Sequence, residues 1–219
     1  MSAISPVRRN EVNETLTCWD GVSESSLAGA LSLRVTECME VALIDGNRYN
    51  QLSFRPRAAG CLRLAVTTRS AYRHKIVRVF VAALAMRTEL SRSLRERIRT
   101  AVQEAVINAM LHGNLAMSSE GFSGLESMAA SHEIIEGLLT SPQIARSLIR
   151  VEAVWNSAIL NVLVHDSGTG FKRKKMPLSE ERHAATDAKS GRGLAILEAF
   201  CDRVAVLRGG TTIKLGFRL

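Results

Sequence analysis

The chain has 219 residues, 46% of them hydrophobic and 23% charged, with a formal net charge of +8. That is enough for one sizeable core, and it excludes a disordered or collagen-like chain. Its longest apolar run, Val79 to Met86, is too short to cross a bilayer, and four scattered cysteines without a CxxC pair exclude a zinc ribbon or a disulfide framework.

These features, with no apolar run for a signal peptide near the N-terminus, read as a cytoplasmic protein with reduced thiols and no membrane partner. The charge is concentrated. Between Arg73 and Arg99 eight Lys and Arg stand against Glu89 and Glu96, which is +6 of the +8. Solvated helix faces, an acidic protein partner and nucleic acid are all compatible with it. With two Trp, two Tyr and no reader motif, direct nucleic-acid binding rests on net charge alone.

Residues 1 to about 25 are polar and read as a loose arm. Leu33–Val35 and Val41–Ile44, with the turn signal Asp45-Gly46-Asn47 before Tyr49 to Phe54, suggest a small hairpin or edge-strand element. Residues 1–58 are therefore set apart from a main domain at 59–219. Cys61 to Thr67 alternates as a strand. Ser70 is the expected cap of a helix over 71–86. Ser93-Leu-Arg-Glu96 fits a capping box for a helix that runs to about His112. Its stripe Leu94, Ile98, Ala101, Val102, Ala105 and Ala109 is apolar. Glu104, Asn108 and His112, four apart, share one face at its border.

Residues 115–147 lack sheet character and read as a helical insertion. Arg150 to Val154 and Ile159 to Val164 make a hairpin that runs into Asp166-Ser-Gly-Thr-Gly170. A basic stretch from Phe171 to Ser190 follows. Gly191-Arg-Gly193 then opens a helix carrying Leu194, Leu197 and Phe200. Val204–Leu207, a Gly209-Gly210 turn and an alternating tail to Leu219 close the chain. Strand, two helices, insertion, two strands, helix, two strands predicts an α+β fold. It is a two-layer sandwich, a mixed β-sheet with helices on one face.

Taken singly, the motifs are weak. An aspartate at a strand end beside alternating glycines can bind a flat ligand's amine, or can simply be a turn. Gly-x-Gly at a helix start suits phosphates, but many helices start with glycine. Together and in this order they resemble the four ATP-binding boxes of the GHKL superfamily of gyrase, Hsp90, histidine kinase and MutL ATPases. Within it they most resemble the bacterial anti-sigma-factor serine kinases. The stretches that carry the resemblance are Ala101 to Gly113, Asp166 to Phe171, Gly191 to Leu194 with Cys201-Asp202, and Gly210 to Ile213. It covers about residues 60 to 219.

The resemblance implies the Bergerat ATP-binding fold, with ATP and Mg²⁺ as cofactors. Asn108 is the implied Mg²⁺ ligand and Glu104 the general base for an attacking hydroxyl. Asp166 would accept from the adenine amino group, with Gly168 and Gly170 shaping the slot and Thr211 completing it. Gly191, Arg192, Gly193 and Leu194 form the implied phosphate-binding helix start. Residues 171–190 would be the ATP lid, whose Lys172 to Lys175 reach phosphates or stay solvated. His112 matches the motif but is read as packing or capping the helix end.

The implied activity is an anti-sigma factor with serine/threonine kinase activity. It would phosphorylate a STAS-type anti-anti-sigma partner, bind a sigma factor and regulate transcription by partner switching. Homodimerisation is implied by close relatives. A helical dimerisation domain with a phospho-accepting histidine is missing, which argues against a sensor kinase but leaves a detached histidine-kinase-type catalytic domain open. The long insertion and the N-terminal segment would also suit a non-catalytic ATP-binding module that sequesters a partner.

Overall fold

The computed structural model describes residues 16–44, 60–117, 125–170 and 192–219, with side chains from 130 onward in the third stretch and from 193 in the last. Its centre is a seven-stranded mixed sheet in the order β1-β2-β3-β4-β5-β7-β6. The strands are β1 (Leu16–Trp19), β2 (Glu37–Glu40), β3 (Gly60–Thr67), β4 (Leu148–Trp155), β5 (Ile159–Asp166), β6 (Arg203–Leu207) and β7 (Thr212–Arg218). β1, β2 and β3 run parallel and every later pairing is antiparallel. The helices are α1 (Glu24–Ala30), α2 (Thr68–Arg73), α3 (Ile76–Ala85), α4 (Arg92–Asn108), α5 (Leu125–Leu138), α6 (Pro142–Ala145) and α7 (Arg192–Phe200). The fold is α+β, as the element pattern predicts.

Period-two alternation decides the faces. Leu62, Leu64 and Val66 of β3, Ile149, Val151 and Ala153 of β4, and Leu160, Val162 and Val164 of β5 join Phe80, Leu84, Ile98, Val102 and Leu197 of the helices in one core. Each such side chain contributes roughly 1.5–3 kcal/mol when fully buried. The alternate residues form an ionic row on the opposite face. Arg63 lies 3.7 Å from Glu37 and 3.2 Å from Glu152, its neighbours on β2 and β4. Among the described residues no helix is long and apolar enough to cross a membrane.

The N-terminal region departs from the expectation. Residues 16 to about 25, expected within a loose arm, form a strand and enter a capped helix at Glu24–Ala30; residues 1–15 of that arm lie outside the described residues. The Ser23 side chain accepts from Ser26 N, a cap hidden in a polar run. Instead of a hairpin, β2 lies between the two expected patches, Val41–Leu43 form a 3₁₀ turn, and β1 and β2 extend the sheet in parallel. The turn at 45–47 and the patch at 49–54 lie outside the described residues.

The extension is fastened to the helices. Arg87 donates to the carbonyls of Leu31 (3.2 Å), Val35 (2.9 Å), Ser32 and, within its own helix end, Ala83 (2.7 Å). His74 stacks edge-on against Trp19 and hydrogen-bonds through Nε2 with the Gly21 carbonyl.

Three helix starts also differ. The helix expected over 71–86 is split, because His74 is extended. Its first half is capped by Thr67 rather than Ser70, whose hydroxyl is drawn to Glu40 (2.8 Å). The cap of α4 is Ser91, accepting from Leu94 N at 3.2 Å. Ser93 is not the cap, and Glu96 pairs with Arg99 instead. The insertion is helical and rests on α2 through Arg69, which donates to Leu139 O at 2.5 Å, and Arg73, which pairs with Glu136 at 3.3 Å.

Candidate functional site

Helix α4 is the wall of the site. Ile98, Ala101, Val102 and Ala105 are buried, while Glu104 and Asn108 lie half-buried on the border of that stripe. Asn108 Nδ2 donates to Glu104 Oε1 at 3.3 Å, so carboxylate and carboxamide are one hydrogen-bonded unit. The start of α7 is seated on this unit. A Cβ on Gly193 would come within 2.7 Å of Glu104 Oε1 and 2.9 Å of Asn108 Nδ2, so a side chain there would have to displace both polar groups from their present positions. Leu194 follows, partly buried against the core. Gly191 and the Arg192 side chain lie outside the described residues. So does the stretch from Phe171 to Ser190, Lys172 to Lys175 included.

Past Asn108 the helix changes pitch. Ala109–Asn114 form a π-helical turn, with Leu115 N bonded to Met110 O five residues back. Such insertions gather at functional sites. The extra residue takes His112 out of the Glu104–Asn108 line. His112 is exposed, and its Nδ1 donates to Met117 O at 2.7 Å, closing the helix end. The same change of pitch drives Gly113 onto the end of β5. A Cβ there would lie 2.5 Å from Asp166 Cγ, and one on Gly168 would lie 2.4 Å from Gly113 O. Backbone therefore meets backbone where a flat ligand would need the closest approach.

Asp166 is buried, and Gly168 N donates to its Oδ1 at 2.8 Å. Burial raises its pKa above the ordinary carboxylate value, the Gly168 bond offsetting part of the rise. A desolvated carboxylate with acceptor capacity to spare is well matched to an amine donor on a ligand. Gly170 (φ 85) is pressed on the last turn. A Cβ there would sit 2.2 Å from Gly209 O and 3.3 Å from the Thr211 side chain. The Thr211 hydroxyl is spent within that turn, donating to Arg208 O at 3.1 Å, and Thr211 O accepts Asp166 N at 3.1 Å.

Two features carry no earlier assignment. Asn114 ties three elements together. Its Oδ1 accepts from Ser167 N (2.8 Å), and its Nδ2 donates to Thr68 Oγ1 (2.8 Å) and Leu148 O (3.1 Å). No local sequence pattern marks Asn114; only the fold reveals the brace. The second feature is an open cavity of about 340 Å³ beside Glu104. Lys75, Arg78, Arg99, Thr100, Gln103 and Ile196 line it together with Glu104. Three cations of the basic stretch thus share a cavity with the carboxylate.

For Mg²⁺ the donor set is modest but suitable. No cluster of three His, Cys, Asp or Glu able to hold a metal exists among the described residues. Asn108 offers one carboxamide oxygen beside the start of α7. One protein oxygen, with phosphate oxygens and water completing the shell, is a usual Mg²⁺ arrangement.

No curated protein matches the chain. A family model does, the histidine kinase-like ATPase domain, over residues 66–217, well over half of the sequence and the whole span from the end of β3 to β7. The wall of α4, the Asp166 slot and the glycine-bearing start of α7 all fall inside that span, and the chain belongs to the histidine kinase-like ATPase family, an ATP-binding domain.

Proposed function

We propose that the chain is a cytoplasmic serine/threonine protein kinase that acts as an anti-sigma factor, phosphorylating a STAS-type partner and releasing or holding a sigma factor accordingly. The observation that carries this reading is Glu104. It is bonded to Asn108 and also lines the cation-rich cavity, so one carboxylate adjoins both the expected phosphate site and a basin suited to an acidic protein segment. Phosphoryl transfer is mainly positioning and charge neutralisation. Asp166 fixes the base, and the start of α7 turns its free N–H groups to the phosphates. Mg²⁺, when held by Asn108, neutralises phosphate charge. Glu104 takes the proton from the acceptor hydroxyl as its oxygen bonds the γ-phosphorus. The bond from that phosphorus to the bridging oxygen then breaks, leaving ADP.

Incubation with labelled ATP·Mg²⁺ and a STAS-type partner tests this directly. Label should appear on a partner Ser or Thr, and Glu104→Ala should abolish transfer at least a hundredfold while ATP still binds. Binding of ATP without any label on the partner would contradict the kinase reading. It would favour an ATP switch that holds a partner, for which the strands and helix at 16–44, outside the family match, supply extra surface.

A further inference from the structure

His165 has no part in the site described above, yet it is tied to it. It lies on β5, between Arg150 of β4 and Thr212 of β7. Its Nδ1 is 2.8 Å from Thr211 O and 2.9 Å from Thr212 Oγ1. A carbonyl only accepts, so the ring carries its hydrogen on Nδ1. Thr211 O thus receives two donors at once, the His165 ring and the backbone N–H of Asp166.

Within the turn itself Thr211 also reaches back, its hydroxyl donating to Arg208 O at 3.1 Å. Arg208, Gly209 and Gly210 have φ of 51, 66 and 100, three left-handed residues in a row. Arg208 pays a steric penalty that glycine escapes. The turn's own backbone bond, Thr211 N to Arg208 O, is 3.4 Å long. Yet Gly209 O is the surface on which Gly170 rests. A shift of this turn moves one side of the slot next to Asp166.

We propose that His165 is a positioning residue for base recognition. Through Thr211 O it fixes the 208–211 turn against the Asp166 loop, and so sets how strongly the pocket prefers adenine over guanine nucleotides. This rests on the assignment of Asp166 to the adenine amine. Guanine presents a carbonyl at that place, which a carboxylate repels. The imidazole serves as a neutral donor. Burial and the nearby Arg150 and Arg208 disfavour its cation.

The test is equilibrium titration of the full chain with ATP·Mg²⁺ and GTP·Mg²⁺, together with melting curves, for wild type, His165→Ala, His165→Asn and His165→Gln. Asparagine carries an N–H close to the place of Nδ1; glutamine places it one methylene farther. Wild type should prefer ATP. His165→Ala should bind ATP about tenfold more weakly with GTP affinity unchanged, and His165→Asn should restore most of the preference. A preference intact in His165→Ala, whatever its melting temperature, would overturn the proposal and leave His165 a structural residue. Should the alanine variant not fold, the same comparison falls to the other two: glutamine must lose the preference that asparagine keeps, and equal values would overturn it. A wild type without preference would instead refute the Asp166 assignment on which the inference stands.

Discussion

Asp166 shows what a ligand-binding carboxylate costs the free protein. Burial holds its pKa above 3.8, so the folded chain binds the proton more tightly than the unfolded chain. By linkage its contribution is greatest at low pH and is lost as pH rises through the raised pKa. At neutral pH Asp166→Asn removes this penalty and keeps an acceptor for Gly168 N. Its melting temperature should equal or exceed that of wild type, a stability gain bought at a functional site. Gly168→Ala should go the other way. Its Cβ would meet the Gly113 carbonyl, which is backbone and cannot swing aside, and a loss of about 1–3 kcal/mol is expected in chemical denaturation. The positions of Glu104 and Asn108 on one helix face and of Asp166 at a strand end were legible, because helical spacing and strand alternation are local signals. Asn114 was not, because its three partners come from α2, β4 and the loop after β5, and no local pattern encodes so distant a set.

At the scale of elements, the sheet from β3 onward was legible and its N-terminal edge was not. Cys61–Thr67 and Ile159–Val164 are long enough for alternation to speak; β1 and β2 have four residues each. They are held by partners instead. Arg87 donates to carbonyls at the end of α1, at Val35 and at the end of α3, where helix dipoles also favour a cation. Arg87→Met keeps the apolar stem and removes these donors. It should lower stability by about 2–3 kcal/mol and speed protease cleavage within residues 16–44 more than within 60–117. The π turn after Asn108 was equally hidden, since its sequence continues a good helical pattern. It accompanies the seating of Gly113 and Asn114 against the ends of β5 and β4, a tertiary arrangement that no local pattern records.

For the whole molecule, the excess of positive charge acquires a place. Lys75, Arg78 and Arg99 surround the cavity at Glu104, so an acidic partner should associate faster at low ionic strength. Arg78→Glu should slow that association about tenfold at low salt while leaving ATP affinity unchanged. An unchanged rate would remove the cavity from the partner interface. Stability should also respond to pH in a second window. Burial, then Arg150, then Arg208 hold His165 below its ordinary 6.5, with the Thr211 bond opposing them. The unfolded chain therefore takes up this proton first as pH falls. Stability is retained above about 6.5 and declines below it, and His165→Asn should flatten that decline in melting curves taken from pH 7 to 5. The kinase reading and the switch reading share one requirement, that ATP binds through Asp166 on the wall built by α4. Isothermal titration of ATP·Mg²⁺ into wild type and Asp166→Asn measures it most directly. The account predicts saturable binding by wild type and a loss of about 10- to 100-fold in the folded variant; equal affinity in the two would contradict it.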